Sequence, residues 1–311
     1  MAETLRIVGA EAIRAIATPG LVITAVRQAM IDHAQGLITS PPPGHLSFTD
    51  PPGDCHIKFG HAQTSDVFAI KVASGFYDNP RQGLASSNGL MLVLSAKTGA
   101  PLALLADGGW LTDARTAAAG ALAVEACRPA GAEVLGVLGA GTQAALQARW
   151  ICAHNAISQV VLWSRTSSAA QGLAEQLRSG GIDAILAHDP AEVAANADML
   201  VTCTPSRAPL LQAYELGRLR LIIAMGADTP GKRELAPEVI DRADQIVCDD
   251  ISNCLDHGEI QGRDIPKSRL KTLGDLLQTP PTAGAGLTVV DLTGLPAQDI
   301  AVASEVYRRT S

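Results

Sequence analysis

The sequence predicts an α/β protein with a doubly wound parallel sheet and a second, smaller α+β domain. The middle of the chain alternates short, continuously apolar runs with helical patterns, which is typical of a parallel sheet covered on both faces. The first ~115 residues instead carry longer strand-like runs, a helix and a turn signal, which indicate a mixed or antiparallel sheet. The length of 311 residues suits two domains of ~100–200 residues each.

The elements of the first part follow in order. A helical pattern covers 19–35 and precedes a Pro/Gly-rich segment at 40–44. Strand-like runs then occupy 55–59, 67–73, 90–95 and 102–106, and 97–101 is typical of a hairpin turn.

The middle part repeats a strand–helix pattern. Strands are expected at 133–138, 160–163, 183–187, 199–203, 219–225 and 244–248, and helices at 142–154 and 168–179. A further strand at 287–292 and a helix at 297–308 close the chain. Periodicity alone does not decide whether this last piece returns to the first domain.

Composition excludes several classes of protein. Hydrophobic residues make up 47% and charged residues 18%, so a disordered chain is excluded. A net charge of -7 without a basic tract, and 3% aromatic residues, argue against nucleic acid as a partner. The N-terminal residues lack a signal-peptide pattern, and the apolar run at 221–225 is far shorter than the ~20 residues of a membrane span. We therefore expect a cytoplasmic protein without a membrane partner.

The six cysteines are far apart and form no CxxC pair or Cys/His cluster. This spacing predicts reduced, small apolar side chains in place of disulfides. For the same reason no metal site is expected.

A glycine-rich turn lies between the strand at 133–138 and the helix at 142–154. Gly139 permits the tight turn, Gly141 lets the backbone approach a pyrophosphate, and Ala144 allows close packing of helix on strand. The free N–H groups of the helix N-terminus would then face the phosphates. The alternative is an ordinary glycine-rich βα turn, but the repeated strand–helix pattern favours a Rossmann-type dinucleotide site. Its candidate cofactor residues are Gly139, Ala140, Gly141, Thr142 and Gln143.

The end of the next strand bears on which nucleotide is bound. An NAD site usually has an acidic residue there, whereas this chain has Trp163-Ser164-Arg165-Thr166. The hydroxyls of Ser164 and Thr166 and the guanidinium of Arg165 suit a 2′-phosphate. We therefore expect NADPH, with NADH or NAD as the alternative; a solvated arginine at a helix start would also explain Arg165.

Several separated segments resemble one family when taken in order. They are 70–83, 89–106, 111–119, the turn at 139–144, 202–205 and 226–235. The sequence is similar over about 67–250 to the ornithine cyclodeaminase/mu-crystallin family, which includes ketimine reductases and some alanine dehydrogenases. The resemblance implies a Rossmann domain at 116–286 inserted between 1–115 and 287–311, which would form a substrate and dimerisation domain. It also implies a homodimer, and it adds Thr204 and Met225 to the cofactor site.

The resemblance also implies catalytic roles. Lys71 and Arg115 would hold a substrate carboxylate, and Asp228 would handle a proton at the substrate nitrogen. The residues give separate support, because an arginine is costly to bury without an anion and a lysine is unusual in an apolar strand. Thr112 is expected to cap a helix with Arg115 in its first turn. Asp228 follows the carboxyl end of a strand of the parallel sheet, which is where ligands bind in such folds. The alternatives are an internal aspartate paired with Arg115, a lysine on an edge strand, and an aspartate that caps a turn.

The remaining substrate residues are assigned from the family pattern and from one departure. Ser86 matches a substrate-site hydroxyl position, and Thr293 lies near the expected ring region. Family members commonly carry an arginine in the proline-rich segment, but residues 41–45 contain none. His56 or Lys58 is therefore expected to replace it.

The leading hypothesis is an NADPH-dependent reductase of cyclic ketimine carboxylates, which forms L-proline from Δ1-pyrroline-2-carboxylate or L-pipecolate from Δ1-piperideine-2-carboxylate. Three alternatives stay open. They are ornithine (or lysine) cyclodeaminase with NAD, an amino-acid dehydrogenase such as alanine dehydrogenase, and a non-catalytic, crystallin-like nucleotide-binding protein.

Overall fold

The computed structural model describes residues 5–76, 78–279 and 286–310. The chain forms two compact units, of which the first comprises 1–115 with 295–311 and the second comprises 116–294. Residues 1–4, 77, 280–285 and 311 fall within the predicted domains and lie outside the described residues. The α/β class with a parallel sheet is confirmed.

The first unit is built on a seven-stranded mixed sheet with the strand order β1-β7-β6-β5-β4-β2, in which β3 also pairs with β4. Only β1 and β7 run parallel among the described pairs; the others are antiparallel. The strands are β1 (Arg6–Gly9), β2 (Ile38–Thr39), β3 (Gly44–Phe48), β4 (Gly53–Ala62), β5 (Val67–Phe76), β6 (Ser87–Ser95) and β7 (Pro101–Ala106). Its helices are α1 (Ala10–Ile16), α2 (Pro19–Ala34) and, at the end of the chain, α10 (Pro296–Arg309).

One face of this sheet is covered by helices. The helix α10 packs on α2 and on β4 and β5. Because strand side chains alternate, the covered face carries the buried Ala69, Lys71, Met91, Val93 and Leu105. Lys71 therefore points into the interior of the unit from a central strand, which excludes the edge-strand interpretation.

The opposite face of the sheet carries exposed apolar side chains. Ile7 is 70% exposed, Leu46 57%, Ile57 41%, Phe59 40% and Leu90 36%. An apolar surface of this extent on a sheet is typical of a contact with another protein surface. We call these five residues the apolar face.

The second unit is doubly wound around an eight-stranded sheet. The strand order is β10-β9-β8-β11-β12-β15-β13-β14, and all described pairs are parallel. The strands are β8 (Val134–Leu138), β9 (Gln159–Trp163), β10 (Asp183–Leu186), β11 (Met199–Thr202), β12 (Leu221–Ala224), β13 (Gln245–Cys248), β14 (Leu270–Thr272) and β15 (Thr288–Asp291). The helices are α3 (Trp110–Cys127), which begins in the first unit, α4 (Thr142–Asn155), α5 (Ser167–Ser179), α6 (Pro190–Asn196), α7 (Pro237–Arg242), α8 (Ile251–His257) and α9 (Leu273–Gln278).

The structure differs from the expectation at two boundaries. The strand β15 pairs with β12 and β13 in the second unit, so the returning segment begins at 295 and not at 287. The helix α3 begins at Trp110, so Thr112 lies inside it and Arg115 is in its second turn. The helix start is held by the Asp107 carboxylate, which accepts a hydrogen bond from the Leu111 N–H at 2.8 Å.

Among the described helices, none combines the length and apolar character that crossing a bilayer requires. The six cysteines are free thiols. Burial raises the pKa of Cys127 and Cys152 to about 12, so these thiols are poor nucleophiles.

Candidate active site

The glycine-rich turn of the second unit has the geometry of a phosphate cradle. Gly139 has a φ of +126°, and a Cβ there would lie 2.8 Å from the Cys203 carbonyl oxygen, so the turn itself requires glycine. A Cβ at Gly141 would meet nothing within 4 Å, so this glycine leaves open space beside the backbone. Gly141 is also the N-cap of α4 and offers no side-chain cap, while Ala144, in the first turn of α4, is fully buried. The exposed first turn of α4 therefore fits a bound pyrophosphate.

The end of β9 leaves a cation available. Arg165 and Thr166 are exposed, and Arg165 makes no ion pair within the part of the chain that the structure describes. Trp163 is held in place because its Nε1 donates to the His188 carbonyl oxygen at 3.1 Å. The guanidinium is thus free for an anion from solution.

The loops after β11 and β12 are joined by a buried glutamate that the sequence analysis missed. The Glu234 carboxylate accepts hydrogen bonds from Thr202 Oγ1, from the N–H and hydroxyl of Thr204, and from the Gly226 N–H, at 2.5–2.8 Å. Burial raises the pKa of Glu234, although these donors oppose the shift. Glu234 thereby positions Thr204 and the backbone beside Met225, both of which are candidate cofactor residues.

Asp228 lies in the loop after β12, as the sequence predicted. Its side chain is 49% exposed, and its Oδ1 lies 2.7 Å from Lys232 Nζ. Asp228 is therefore an accessible carboxylate held by a neighbouring lysine, and is not a buried one. Its assignment as a proton donor or acceptor stays a prediction.

Thr293 lies in the second unit and is 5% exposed. Its N–H and hydroxyl donate to the two carboxylate oxygens of Asp249, at 2.9 and 3.1 Å. This hydroxyl therefore already has an internal acceptor. Its contact with substrate stays a prediction.

In the first unit, Lys71 and Arg115 meet on a shared aspartate. Lys71 Nζ lies 2.7 Å from Asp299 Oδ2, and Arg115 Nε lies 3.2 Å from Asp299 Oδ1. Arg115 Nη1 also donates to Gln298 Oε1 at 2.8 Å. The side chains of Lys71 and Asp299 are each 4% exposed, and that of Arg115 is 9% exposed. An internal aspartate does pair with Arg115, and it pairs with Lys71 as well.

A third cation, Lys58, acts on the same cluster. Lys58 stands directly opposite Lys71 in the β4–β5 ladder, so both side chains lie on the covered face of the sheet. The pKa of Lys71 is lowered to about 8, mainly by burial and also by Arg115 and Lys58, while the attraction of Asp299 opposes this shift. Burial opposes ionisation of Asp299, but Lys71, Arg115 and Lys58 outweigh it and hold the pKa of Asp299 below its usual value. Lys58, Lys71 and Arg115 thus all act on the carboxylate of Asp299, and the buried carboxylate of Asp107 also interacts with Lys71. A carboxylate that approached these cations would be attracted by them.

The other predicted substrate residues are spread along the same unit. His56 lies on the same face of β4 as Lys58 and beside Asp54, with His56 Nε2 3.7 Å from Asp54 Oδ1. Ser86 is exposed just before β6, and its carbonyl oxygen accepts from the Phe76 N–H at 2.8 Å. Lys58 is the candidate that interacts with Lys71 and Asp299. The assignment of His56 or Lys58 as the replacement for the missing arginine stays a prediction.

The sequence analysis missed Asp299, although a signal was available. Asp299 falls at the helical spacing of the buried Leu295, Val302 and Val306, so it occupies an apolar position of α10. A carboxylate at such a position needs a buried cation as partner. Lys71 and Arg115 were the buried cations already identified.

Comparison with known proteins gives a consistent result. The model of the ornithine cyclodeaminase/mu-crystallin family matches residues 8–311. The chain is 37% identical to the uncharacterized cyclodeaminase y4tK of Sinorhizobium fredii, over 88% of this chain and 85% of that protein. It is 33% identical to the alanine dehydrogenase of Archaeoglobus fulgidus, over 98% and 94%. It is also 27% identical to a Δ1-pyrroline-2-carboxylate reductase of Bacillus cereus, over 86% and 84%.

Solved structures give the same picture. An archaeal alanine dehydrogenase dimer with bound NAD superimposes with a TM-score of 0.89 at 31% identity, covering 98% of this chain and 96% of that one. The iminosuccinate reductase of Paracoccus denitrificans in complex with NAD+ superimposes with a TM-score of 0.86 at 27% identity, covering 98% and 95%.

Proposed function

The chain belongs to the ornithine cyclodeaminase/mu-crystallin family, whose relatives include NAD-binding oxidoreductases, and we propose that it is an NADPH-preferring reductase of cyclic ketimine carboxylates. The proposed substrates are Δ1-pyrroline-2-carboxylate and Δ1-piperideine-2-carboxylate, and the products are L-proline and L-pipecolate. The observation that carries the proposal is the cluster in which the buried Lys71 and Arg115 pair with Asp299 while Lys58 acts on the same carboxylate.

The proposed roles follow from this cluster and from the second unit. Arg115, Lys71 and Lys58 bind and orient the substrate carboxylate, which fixes the position of the imine carbon. Asp228 holds or donates a proton at the substrate nitrogen, which favours the electrophilic iminium form. The glycine-rich turn and the first turn of α4 hold the pyrophosphate, and Ser164, Arg165 and Thr166 hold the 2′-phosphate. NADPH, when bound, supplies the hydride for the C=N carbon.

A second candidate substrate is the imine of a small dicarboxylic acid. It is favoured by the three cations Lys58, Lys71 and Arg115 that act on Asp299, and by the similarity to an iminosuccinate reductase. A second carboxylate on the substrate would add a further attraction to these cations. The amino-acid dehydrogenase and cyclodeaminase reactions remain as comparisons in the assay.

The proposal is tested with a steady-state assay of the purified protein. NADPH and NADH are each offered with pyrroline-2-carboxylate, piperideine-2-carboxylate, iminosuccinate, or pyruvate with ammonia, and NAD+ is offered with ornithine. We expect the highest kcat/KM for a cyclic ketimine with NADPH. Ammonia release from ornithine without net NADH would assign the cyclodeaminase reaction instead, and equal use of NADH would overturn the cofactor preference.

Substitution of Arg165 is expected to change the cofactor preference. Arg165→Gln removes a charge-assisted contact, so kcat/KM for NADPH should fall about 10- to 100-fold while that for NADH is unchanged. The control is Arg149→Gln, which removes an exposed arginine of α4. A parallel loss with both nucleotides would contradict the assigned contact.

Loss of the positive charge of Lys71 should weaken substrate binding at alkaline pH. Since burial lowers the pKa of Lys71 to about 8, its positive charge is lost as pH rises through this value. The KM for the imino acid is therefore expected to rise about tenfold between about pH 7 and pH 9. In Lys71→Arg the charge persists, so this rise should disappear. An identical KM profile in both proteins would exclude Lys71 as the titrating group.

The protein is proposed to form a homodimer through the apolar face. The archaeal alanine dehydrogenase similar to it is a dimer. Ile57→Glu places a charge in the middle of this face and should shift the molar mass in solution, measured by light scattering, from dimer to monomer. The control is Leu186→Glu, which changes a 39% exposed leucine on the edge strand β10 of the second unit. Dimers of the Ile57→Glu protein would show that the apolar face is not the interface.

A further inference from the structure

A separate cluster of metal-ligating side chains lies on the hairpin of β3 and β4. His45 and His56 stand directly opposite each other in the ladder, and their ring centroids are 4.6 Å apart. Asp54 precedes His56 by two residues on β4, so strand alternation places it on the same face. The sequence analysis expected no metal site because the cysteines form no cluster with one another or with histidines. This group contains no cysteine, and it is the pairing of β3 with β4 that places His45 beside His56.

The three side chains are close enough to share one ion. One ligand atom from each of His45, Asp54 and His56 lies within 4.8 Å of the other two. Metal–nitrogen and metal–oxygen distances of about 2.0–2.2 Å place ligand atoms about 3.3 Å apart around a tetrahedral ion. Small side-chain rotations on a fixed ladder therefore suffice. The side chains of His56 and Asp54 are 29% and 23% exposed, so an ion has access from solvent.

We propose that His45, Asp54 and His56 bind one divalent transition-metal ion of the Zn²⁺ class. Two imidazoles and one carboxylate suit Zn²⁺, Co²⁺, Ni²⁺ or Cu²⁺, whereas Mg²⁺ and Ca²⁺ prefer a set of oxygen ligands. Three protein ligands leave a fourth position for water. The ion would cross-link β3 to β4 and thereby stabilise the hairpin.

The surroundings set the affinity that we expect. Lys58 is the next residue along this face of β4, and its positive charge opposes a cation nearby. Lys58 also interacts with the buried carboxylate of Asp299, and the charge of Asp54 favours the ion. We therefore expect binding of moderate strength, and not the affinity of an enclosed structural zinc site.

The test is calorimetric titration of the whole, metal-free protein with Zn²⁺, and separately with Mg²⁺. We expect one Zn²⁺ per chain and no binding of Mg²⁺. His45→Gln and His56→Gln should each weaken Zn²⁺ binding by at least about 10- to 100-fold, since loss of even an outer partner of a metal ligand has that effect. Asp54→Asn should weaken it less, because the amide oxygen remains a ligand.

The matched control is His61→Gln. His61 lies on the same strand but on the opposite face, and its Nε2 is 2.8 Å from the Ser65 carbonyl oxygen. This variant should bind Zn²⁺ as the unchanged protein does. The absorption spectrum of bound Co²⁺ provides an independent test of which residues are ligands. The spectrum of a low-coordinate site should be lost in His56→Gln but kept in His61→Gln. Absence of Zn²⁺ binding, or unchanged binding in His45→Gln and His56→Gln, would overturn the proposal. Neither result bears on the ketimine reductase proposal, because the titration measures no turnover.

Discussion

Asp299→Asn is expected to lower the free energy of unfolding by about 3–5 kcal/mol, because it leaves two buried cations without their carboxylate. Lys71 and Arg115 both pair with Asp299, at 2.7 and 3.2 Å, and their side chains are only 4% and 9% exposed, so little water is able to replace the carboxylate. The loss is measured by urea denaturation, following the transition of the first unit with far-UV circular dichroism. Because the chain has two units, the two transitions are fitted separately.

Two further variants make this result specific. Glu305→Gln changes an acid on the same helix that pairs with Arg308 and Arg309 near the surface, and should cost less than about 1 kcal/mol. Lys71→Met added to Asp299→Asn removes one of the unpaired charges, so part of the lost stability should return. A loss below about 1 kcal/mol in Asp299→Asn would mean that the cluster is solvated and that the carboxylate is not its main partner.

Asp228→Asn is expected to lower kcat by about 10²- to 10⁴-fold, the contribution of a positioned proton donor or acceptor. The variant keeps the shape of the side chain, so the dissociation constant of NADPH should stay unchanged, as measured by fluorescence titration. The control is Asp241→Asn, which changes an exposed aspartate of the second unit that pairs with Arg263. Turnover within a few-fold of the unchanged protein would remove Asp228 from the reaction.

Substitution of Lys232 provides a second test of the same site. Its Nζ is 2.7 Å from Asp228 Oδ1, so it helps to hold this carboxylate in position. Lys232→Gln should therefore lower kcat, but by less than Asp228→Asn does. A loss as large as that of Asp228→Asn would indicate that Lys232 itself contacts the substrate.

The local elements of the fold were predictable because their signals lie in consecutive residues. Continuous apolar runs at Val134–Leu138 and Leu221–Ala224 indicated buried parallel strands, and these strands are fully buried in the structure. The position of β15 was not predictable in the same way. Its four residues, Thr288–Asp291, fit a strand in either sheet, and only the pairing with β12 and β13 shows which sheet they join.

The same distinction holds for the candidate site. Gly139 and Gly141 were identified because the turn and the helix that need them are adjacent in sequence. The partners of Lys71, Thr293 and Thr204 are Asp299, Asp249 and Glu234, and they come from distant segments. A buried charge in the sequence indicates that a partner exists, but only the packing of elements identifies it.

The position of Asp299 in α10 also has a consequence for biosynthesis. A ribosome makes Lys71 and Arg115 long before it makes Asp299, and the whole second unit, 116–294, is made in between. Until the last helix emerges, Lys71 on β5 and Arg115 on α3 lack the carboxylate with which both of them pair. The second unit is therefore able to fold while the chain is still being made, whereas the first unit completes its core only near the end of translation.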